Sequence, residues 1–318
     1  MISQQSFFCS ELSRGFAEKT FGTASVGDIW LLIEYPFAWG PQALKDSDLS
    51  QAVKAYLMSA VKNIPRSRLL FIKRDRRKRK EELAVFVVRC REHAPSITRL
   101  KINDYEQLLD IDLKGIASAS VPSAAAAGDT SDSPLYLVCT HGKRDKCCAK
   151  FGYSLYKSLS STNASVWQSS HVGGDRFAAN LVCFPHGLFY AHVTEDSGRL
   201  CIEEYEERRL VLDKYRGRAC YQYPVQAAEY FIRTEGRIIG LDELRHLGCE
   251  RTAERQWRVR FAARGGERIY EAGVRSVRSD FQLNNTCHST EEKSVIQYLL
   301  DDYRVTSLSP GQTISGPS

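Results

Sequence analysis

One stretch near the middle of the chain, VPSAAAAGDTSDSP from Val121 to Pro134, limits what it can fold into more than any other segment. Its residues are small and polar and follow neither a two-residue nor a 3.6-residue period, which is the composition of a linker. The 318 residues are also about twice the roughly 100–200 of a typical domain. Two compact units are therefore expected, over residues 1–120 and 135–240, with 121–134 between them. Beyond them a small β-containing extension is expected over 241–305 and a disordered Ser/Gly/Pro-rich tail over 306–318.

Within the first unit, Asp28–Tyr35 (DIWLLIEY) is an apolar run of strand length. Leu49, Val53, Leu57, Met58 and Val61 then recur at three- and four-residue spacing, and Pro65 closes the pattern, which predicts an amphipathic helix over 49–64. Leu69–Lys73, Leu83–Arg89 and Ile97–Ile102 read as strands. In the second unit Leu135–Val138 reads as a strand, Ala149–Leu159 as a helix and Val166–Ser169 as a strand. Leu181–Phe184 and Leu188–His192 form a hairpin turned at Pro185-His186-Gly187, and Gln226–Arg233 a helix. Strand, helix, strand, hairpin, helix is the order of a thioredoxin-like domain. The predicted fold is thus α/β, two tandem thioredoxin-like units with a small C-terminal β appendage, a hairpin of Arg258–Ala263 and Arg268–Ala272 around Gly265-Gly266.

Composition narrows the function. A net charge of +6 is too small a surplus for a chain of this length to predict nucleic-acid binding. No apolar run approaches the roughly 18 residues of a membrane span, so no membrane association is expected. The start, MISQQSFFCSELSRGF, lacks a basic region followed by an apolar one, so the chain is expected in a reducing cytoplasm, without a disulfide scaffold. In that setting clustered thiols are metal ligands, catalytic groups or buried hydrophobes.

The cysteines do cluster. CTHGKRDKCCAK joins the first strand of the second unit to its helix and separates Cys139 from Cys148 by eight residues. The segment SHVGGDRFAAN follows the next strand, with His171 and Asp175 four apart across Gly173-Gly174. Loops at the same end of neighbouring strands approach each other, so both segments can contribute to one centre. Cys147 beside Cys148 opens a rival reading as a thiol-based redox sensor, with Lys143, Arg144 and Lys146 favouring a thiolate. No C-x-x-C supports that rival. His141 and Arg176 are candidates for the layer behind the ligands, His141 donating to a sulfur or capping the loop and Arg176 serving as a charge partner of Asp175 or of the bound group. Cys9, Cys90, Cys183, Cys201, Cys220, Cys249 and Cys287 read as ordinary core or surface thiols.

Several segments resemble the sucrase/ferredoxin-like proteins. They are C-T-H-x-x-R-D-x-C-C-A at Cys139–Ala149, V-W-x-S-S-H-x-G-G at Val166–Gly174 running into R-F-A-x-N, and R-G followed by Q-A-A-E-Y within Arg216–Tyr230. FCS at Phe8–Ser10, GTA at Gly22–Ala24 and WLLIEYPFAWG at Trp30–Gly40 agree as well, so the resemblance covers roughly residues 7–235. It implies a thioredoxin-like ferredoxin domain with a [2Fe-2S] cluster, in which two cysteines hold one iron and the histidines of H-x-G-G-H hold the other. Cys139, Cys148 and His171 occupy three of those positions, and Asp175 stands where the second histidine would be. A carboxylate can bind ferric iron, and its charge lowers the reduction potential relative to imidazole. Cys183, His186 and His192 lie shortly downstream as substitutes, on strands or in a turn.

The resemblance implies an electron-transfer protein, and the alternative is a cluster-free thioredoxin-like interaction protein. The block KRDRRKRKEE at Lys73–Glu82 is expected as a hairpin tip, able to steer an acidic redox partner. Tyr205, Tyr215, Tyr221 and Tyr223 are candidates to line a pocket or fill the core. No G-x-S-x-G, no Walker lysine motif and no assignable carboxylate pair is present, so a hydrolase or glycosidase has no support.

Overall fold

The computed structural model describes residues 7–75, 82–119, 133–162 and 165–307, and the backbone of 129 and 130. Most of Lys73–Glu82 and of the 121–134 segment, and the tail beyond 307, lie outside the described residues. The fold is mixed α/β, with one large mixed sheet and a second, antiparallel sheet.

The N-terminal half begins with α1 (Cys9–Gly15) and continues through β1 (Ile29–Glu34), α2 (Gln51–Asn63), β2 (Ser67–Lys73), β3 (Leu83–Arg89), β4 (Ser96–Ile102), α3 (Leu113–Ser118) and the two-residue β5 (Asp129–Thr130). The Ser50 hydroxyl caps α2 by accepting from the Val53 N–H, and Val53, Leu57, Ala60 and Ile64 face the core. Met58, placed on that face by its spacing, is 58% exposed, because the buried stripe drifts toward Ala60 and Ile64.

The second half contains β6 (Leu135–Cys139), a π-helical turn (Cys148–Gly152), α4 (Tyr153–Leu159), β7 (Val166–Ser169), β8 (Leu181–Phe184), β9 (Leu188–Tyr190), α5 (Glu195–Glu206), β10 (Tyr215–Arg218) and α6 (Tyr223–Gly236). The sequence reading lacks α5, whose acidic EDSGRLCIEEYE has a weak apolar stripe; a Thr194/Ser197 capping box starts it.

The same strand arrangement occurs twice. β1 pairs with β2 in parallel and with β3 antiparallel, and β4 follows β3; β6 pairs with β7 in parallel and with β8 antiparallel, and β9 follows β8. Antiparallel pairing of β2 with β7 joins the halves into one ten-stranded sheet, β10-β9-β8-β6-β7-β2-β1-β3-β4-β5. The sheet curls so that one face of each half meets the other. Trp30 of β1 lies 5.4 Å from Phe184 of β8 and 5.7 Å from Phe189 of β9, and Phe86 meets Trp167 edge-on. Leu32, Ile72, Leu137 and Val182 fill the same layer. The outer face of the first half is covered by α2 and α3, that of the second by α4 and α5. No helix among the described residues is long and apolar enough to cross a membrane.

The C-terminal appendage is larger than the expected hairpin. β11 (Leu244–Ala253), β12 (Gln256–Ala263), β13 (Arg268–Arg278) and β14 (Ile296–Ser307) form an antiparallel four-stranded sheet that packs on α6. Residues 306 and 307, assigned to the tail by composition, complete β14. The tyrosines are mostly core: Tyr205, Tyr215 and Tyr221 are buried, and Tyr223 is exposed.

Candidate metal centre

Cys139 ends β6, fully buried, and its carbonyl faces Gly152 in the returning helix so closely that a Cβ there would lie 1.9 Å from the oxygen. Only glycine allows that approach, and it brings Cys148, at the start of the helical turn, over the end of the strand. The Cys139 and Cys148 sulfurs are 3.5 Å apart. β7 runs beside β6 and delivers His171, and the left-handed Gly173 and Gly174 (φ +95° and +82°) turn Asp175 back into the same space. Asp175 Oδ1 lies 3.7 Å from Cys148 Sγ and 3.0 Å from His171 Nδ1. Ligand atoms of Cys139, Cys148 and His171 all fall within 4.8 Å of one another.

The turn is fixed from behind by residues distant in sequence. The buried Arg216 guanidinium donates to the Gly173 carbonyl (3.1 Å), to Asn180 Oδ1 (2.7 Å) and to the Thr23 carbonyl (2.6 Å), while Asn180 Nδ2 donates to the Gly174 carbonyl (2.9 Å). Gly217 next to it gives way to the Gln226 side chain, which bonds to both backbone groups of Ala24. The GTA, RG and QAAEY motifs thus form one bracket behind the centre. Burial and the charge of Arg176 lower Arg216 to about 9, Glu18 and Cys139 acting in the opposite direction. Arg216 therefore favours negative charge on the Cys139 sulfur.

The protonation pattern follows from these contacts. The Cys148 contact holds the Cys139 thiol well below its ordinary value against the opposing effect of burial, helped by His171 and the His141 backbone N–H. Cys148 is pushed well up by Cys139, by burial and by the charges of Asp175 and Asp145. Burial disfavours a charge on His171, but Asp175 and Cys139 together lift it to about 9. Cys139 is thus the more acidic of the two thiols, and His171 is biased toward its charged form. The Nδ1 of His171 is buried yet makes no hydrogen bond, its approach to Asp175 lying outside hydrogen-bond geometry. A ring nitrogen that faces a carboxylate without a hydrogen bond, beside two soft sulfurs, fits the donor set of a tetrahedral sulfur–nitrogen metal or iron–sulfur site.

The two outer residues take different positions from those expected. His141 accepts the His171 backbone N–H at Nδ1 (3.2 Å), and its Nε2 donates to the Gly40 carbonyl (2.7 Å), so its ring orients the backbone of His171. Arg176 pairs with Glu18 at 2.8 Å instead of with Asp175. Cys183 lies under α4 and α5 on the outer face of β8; His186 bonds to the Tyr205 hydroxyl at 2.6 Å, and His192 faces Ser10 and Ser13. None of the three approaches the centre. Cys147 points the other way, into a separate group.

The His171 ring is a quarter exposed, at the floor of an open cavity of about 710 Å3 lined by Gln42, Leu44, Phe71, His141 and Arg144. A neighbouring cleft of about 680 Å3 carries Lys73, Lys143, Lys146 and Lys150 around Trp39 and His141.

Residues 20–217 match the family described as sucrase/ferredoxin-like. A curated relative, "Altered inheritance of mitochondria protein 32" from Meyerozyma guilliermondii, is 32% identical over 95 residues, covering 26% of this chain. The match spans 34% of that relative's length. No solved structure matches.

Proposed function

Because the chain belongs to the sucrase/ferredoxin-like family, we propose that it is an electron-transfer protein whose second thioredoxin-like unit carries a [2Fe-2S] cluster. Cys139, Cys148 and His171 hold it, with Asp175 as the fourth ligand. The observation that carries this reading is the convergence of two sulfurs, an imidazole nitrogen and a carboxylate in one pocket. The recurring strand arrangement supports two tandem thioredoxin-like units, fused edge to edge through β2 and β7. All ten cysteines are free thiols, in keeping with a reducing compartment, and we place the protein in the cytoplasm.

When bound, the cluster supplies one-electron chemistry. The chain's own residues set its surroundings. Arg216 and the His141 backbone N–H favour negative charge at Cys139, while the Asp175 charge opposes it at Cys148. Binding displaces the protons on Cys148 and His171, because ligands bind deprotonated. Trp167 and Val172 belong to the apolar layer around the two cysteines and help keep water from the sulfurs, whereas the His171 edge reaches the open cavity and is the point nearest a partner. The lysine-lined cleft beside it suits an acidic redox partner, whose approach those charges accelerate at low salt.

The test is anaerobic purification. The account expects a red-brown protein with a one-electron paramagnetic signal after reduction and one cluster's worth of iron and sulfide per chain. A colourless protein that binds neither after reconstitution contradicts it. The contact of Cys139 with Cys148 favours one second reading, a thiol-based sensor, in which a peroxide is reduced to water as the two thiols lose two electrons and two protons to a disulfide. That reading requires reversible loss of two free thiols in an iron-free protein.

A further inference from the structure

Across one peptide bond from Cys148, a second group of metal-competent side chains is assembled from three distant parts of the chain. Cys9 comes from the first turn of α1, Asp145 and Cys147 from the 140–147 loop, and Cys287 from the segment joining β13 to β14. All four are buried, Cys9, Asp145 and Cys147 completely. The sulfur separations are 3.6 Å for Cys9–Cys147, 3.3 Å for Cys147–Cys287 and 3.6 Å for Cys9–Cys287. Asp145 presents its oxygens at 3.7 and 3.8 Å from Cys9 Sγ.

Three thiols in a core can simply be hydrophobes, but the carboxylate makes that reading inadequate. Asp145 is wholly enclosed and forms no ion pair with any Lys, Arg or His among the described residues. Among the described residues its oxygens accept the backbone N–H groups of Cys147 (2.8 Å) and Cys287 (2.7 Å) and the Cys9 thiol. A buried carboxylate ordinarily has a cation beside it or coordinates a metal. Two of the three sulfurs also face backbone donors, the Cys9 N–H pointing at Cys287 Sγ (3.5 Å) and the Ser10 N–H at Cys147 Sγ (3.4 Å). Donors about 2.3 Å from a tetrahedral Zn2+ place their sulfurs ~3.8 Å apart, close to the observed triangle. Phe8, Phe151 and Ala178 close the group off from water.

We propose that Cys9, Cys147, Cys287 and Asp145 form a closed tetrahedral site for Zn2+ or a similar divalent ion, separate from the Cys139 centre. Binding exchanges the thiol protons for the metal, with no change of oxidation state. The ion ties α1 and the β13–β14 segment to the loop that places Cys148. Cys9 and Cys287 both lie outside the 20–217 family match, and the proposal does not rest on the cluster reading.

The full-length chain, purified anaerobically, is analysed for zinc and iron separately, and Co2+ is then used as the spectroscopic probe. To leave the second group alone, the Co2+ titration uses the Cys139→Ser/Cys148→Ser chain. One equivalent of Zn2+ is expected, and one Co2+ with tetrahedral d–d bands and thiolate charge-transfer absorption. Cys287→Ser should reduce zinc at least tenfold at unchanged iron, and Cys287→His should restore it. Absence of zinc together with a Co2+ spectrum of purely oxygen and nitrogen ligation in the double variant overturns the site. So does full zinc retention in both Cys9→Ser and Cys287→Ser.

Discussion

Cys147 and Cys148 are joined by one peptide bond, yet they serve two groups built in opposite ways. The Cys148 group is local: all its members lie between Cys139 and Asp175, on two loops at one end of the parallel β6–β7 pair. The Cys147 group spans nearly the whole chain, Cys9 and Cys287 being 278 positions apart. The first is open to solvent at His171 and backed by Arg216; the second is closed and has no ion-pair partner among the described residues. An open centre suits exchange of electrons with a partner, and a closed one suits holding segments together.

The largest effect expected is at the local group. Cys139→Ser or Cys148→Ser should remove nearly all bound iron and the visible absorption, since thiolates are the strongest holders of the ion. Wild-type-like absorption in either variant would contradict the ligand assignment. Next comes Gly152→Ala, which pushes a methyl group into the Cys139 carbonyl and separates the helix from the strand. It should cost about 3 kcal/mol by thermal or denaturant unfolding. A loss below about 1 kcal/mol would mean that the close approach is not needed.

How far each group was legible in the sequence follows from the same contrast. Cys139, Cys148, His171 and Asp175 sit in two short motifs after consecutive parallel strands, so fold topology alone brings them together. Cys9 and Cys287 read as ordinary thiols, because no local spacing signals a partner 136 or more positions away. Cys147 was visible only as a neighbour of Cys148. Charge partners were equally hidden: Arg176 chooses Glu18, 158 positions distant, over the adjacent Asp175. The main strands of the large sheet were readable in chain order from apolar runs, whereas the joining of β2 to β7 and the breadth of the appended sheet depend on long-range pairing that composition does not encode.

Asp175 sharpens the comparison further. Asp175→His replaces an anion by a neutral ligand and should raise the reduction potential by on the order of 100 mV with the cluster retained. Asp175→Ala should leave the cluster labile. Unchanged potential and spectrum in both variants would remove Asp175 from the ligand set.

The smallest effect uses a histidine remote from both groups. Burial, with Arg218 and Arg208 nearby, lowers His186 from 6.5 to about 3, so the folded protein keeps it neutral. Its contribution is complete above pH 6.5 and declines as pH falls toward 3, because only the unfolded chain takes up the proton in that window. Between pH 6.5 and about 5 the loss should reach about 1.5 kcal/mol, and His186→Gln should flatten that limb. An identical acid limb in the variant would assign the loss to other groups.

The most direct measurement compares iron and sulfide in the adjacent pair, Cys147→Ser and Cys148→Ser, purified side by side without oxygen. If the two cysteines belong to separate centres, Cys148→Ser loses both elements and Cys147→Ser retains the full complement of the parent chain. Equal loss in both, or equal retention in both, would contradict the division of the two groups at that peptide bond.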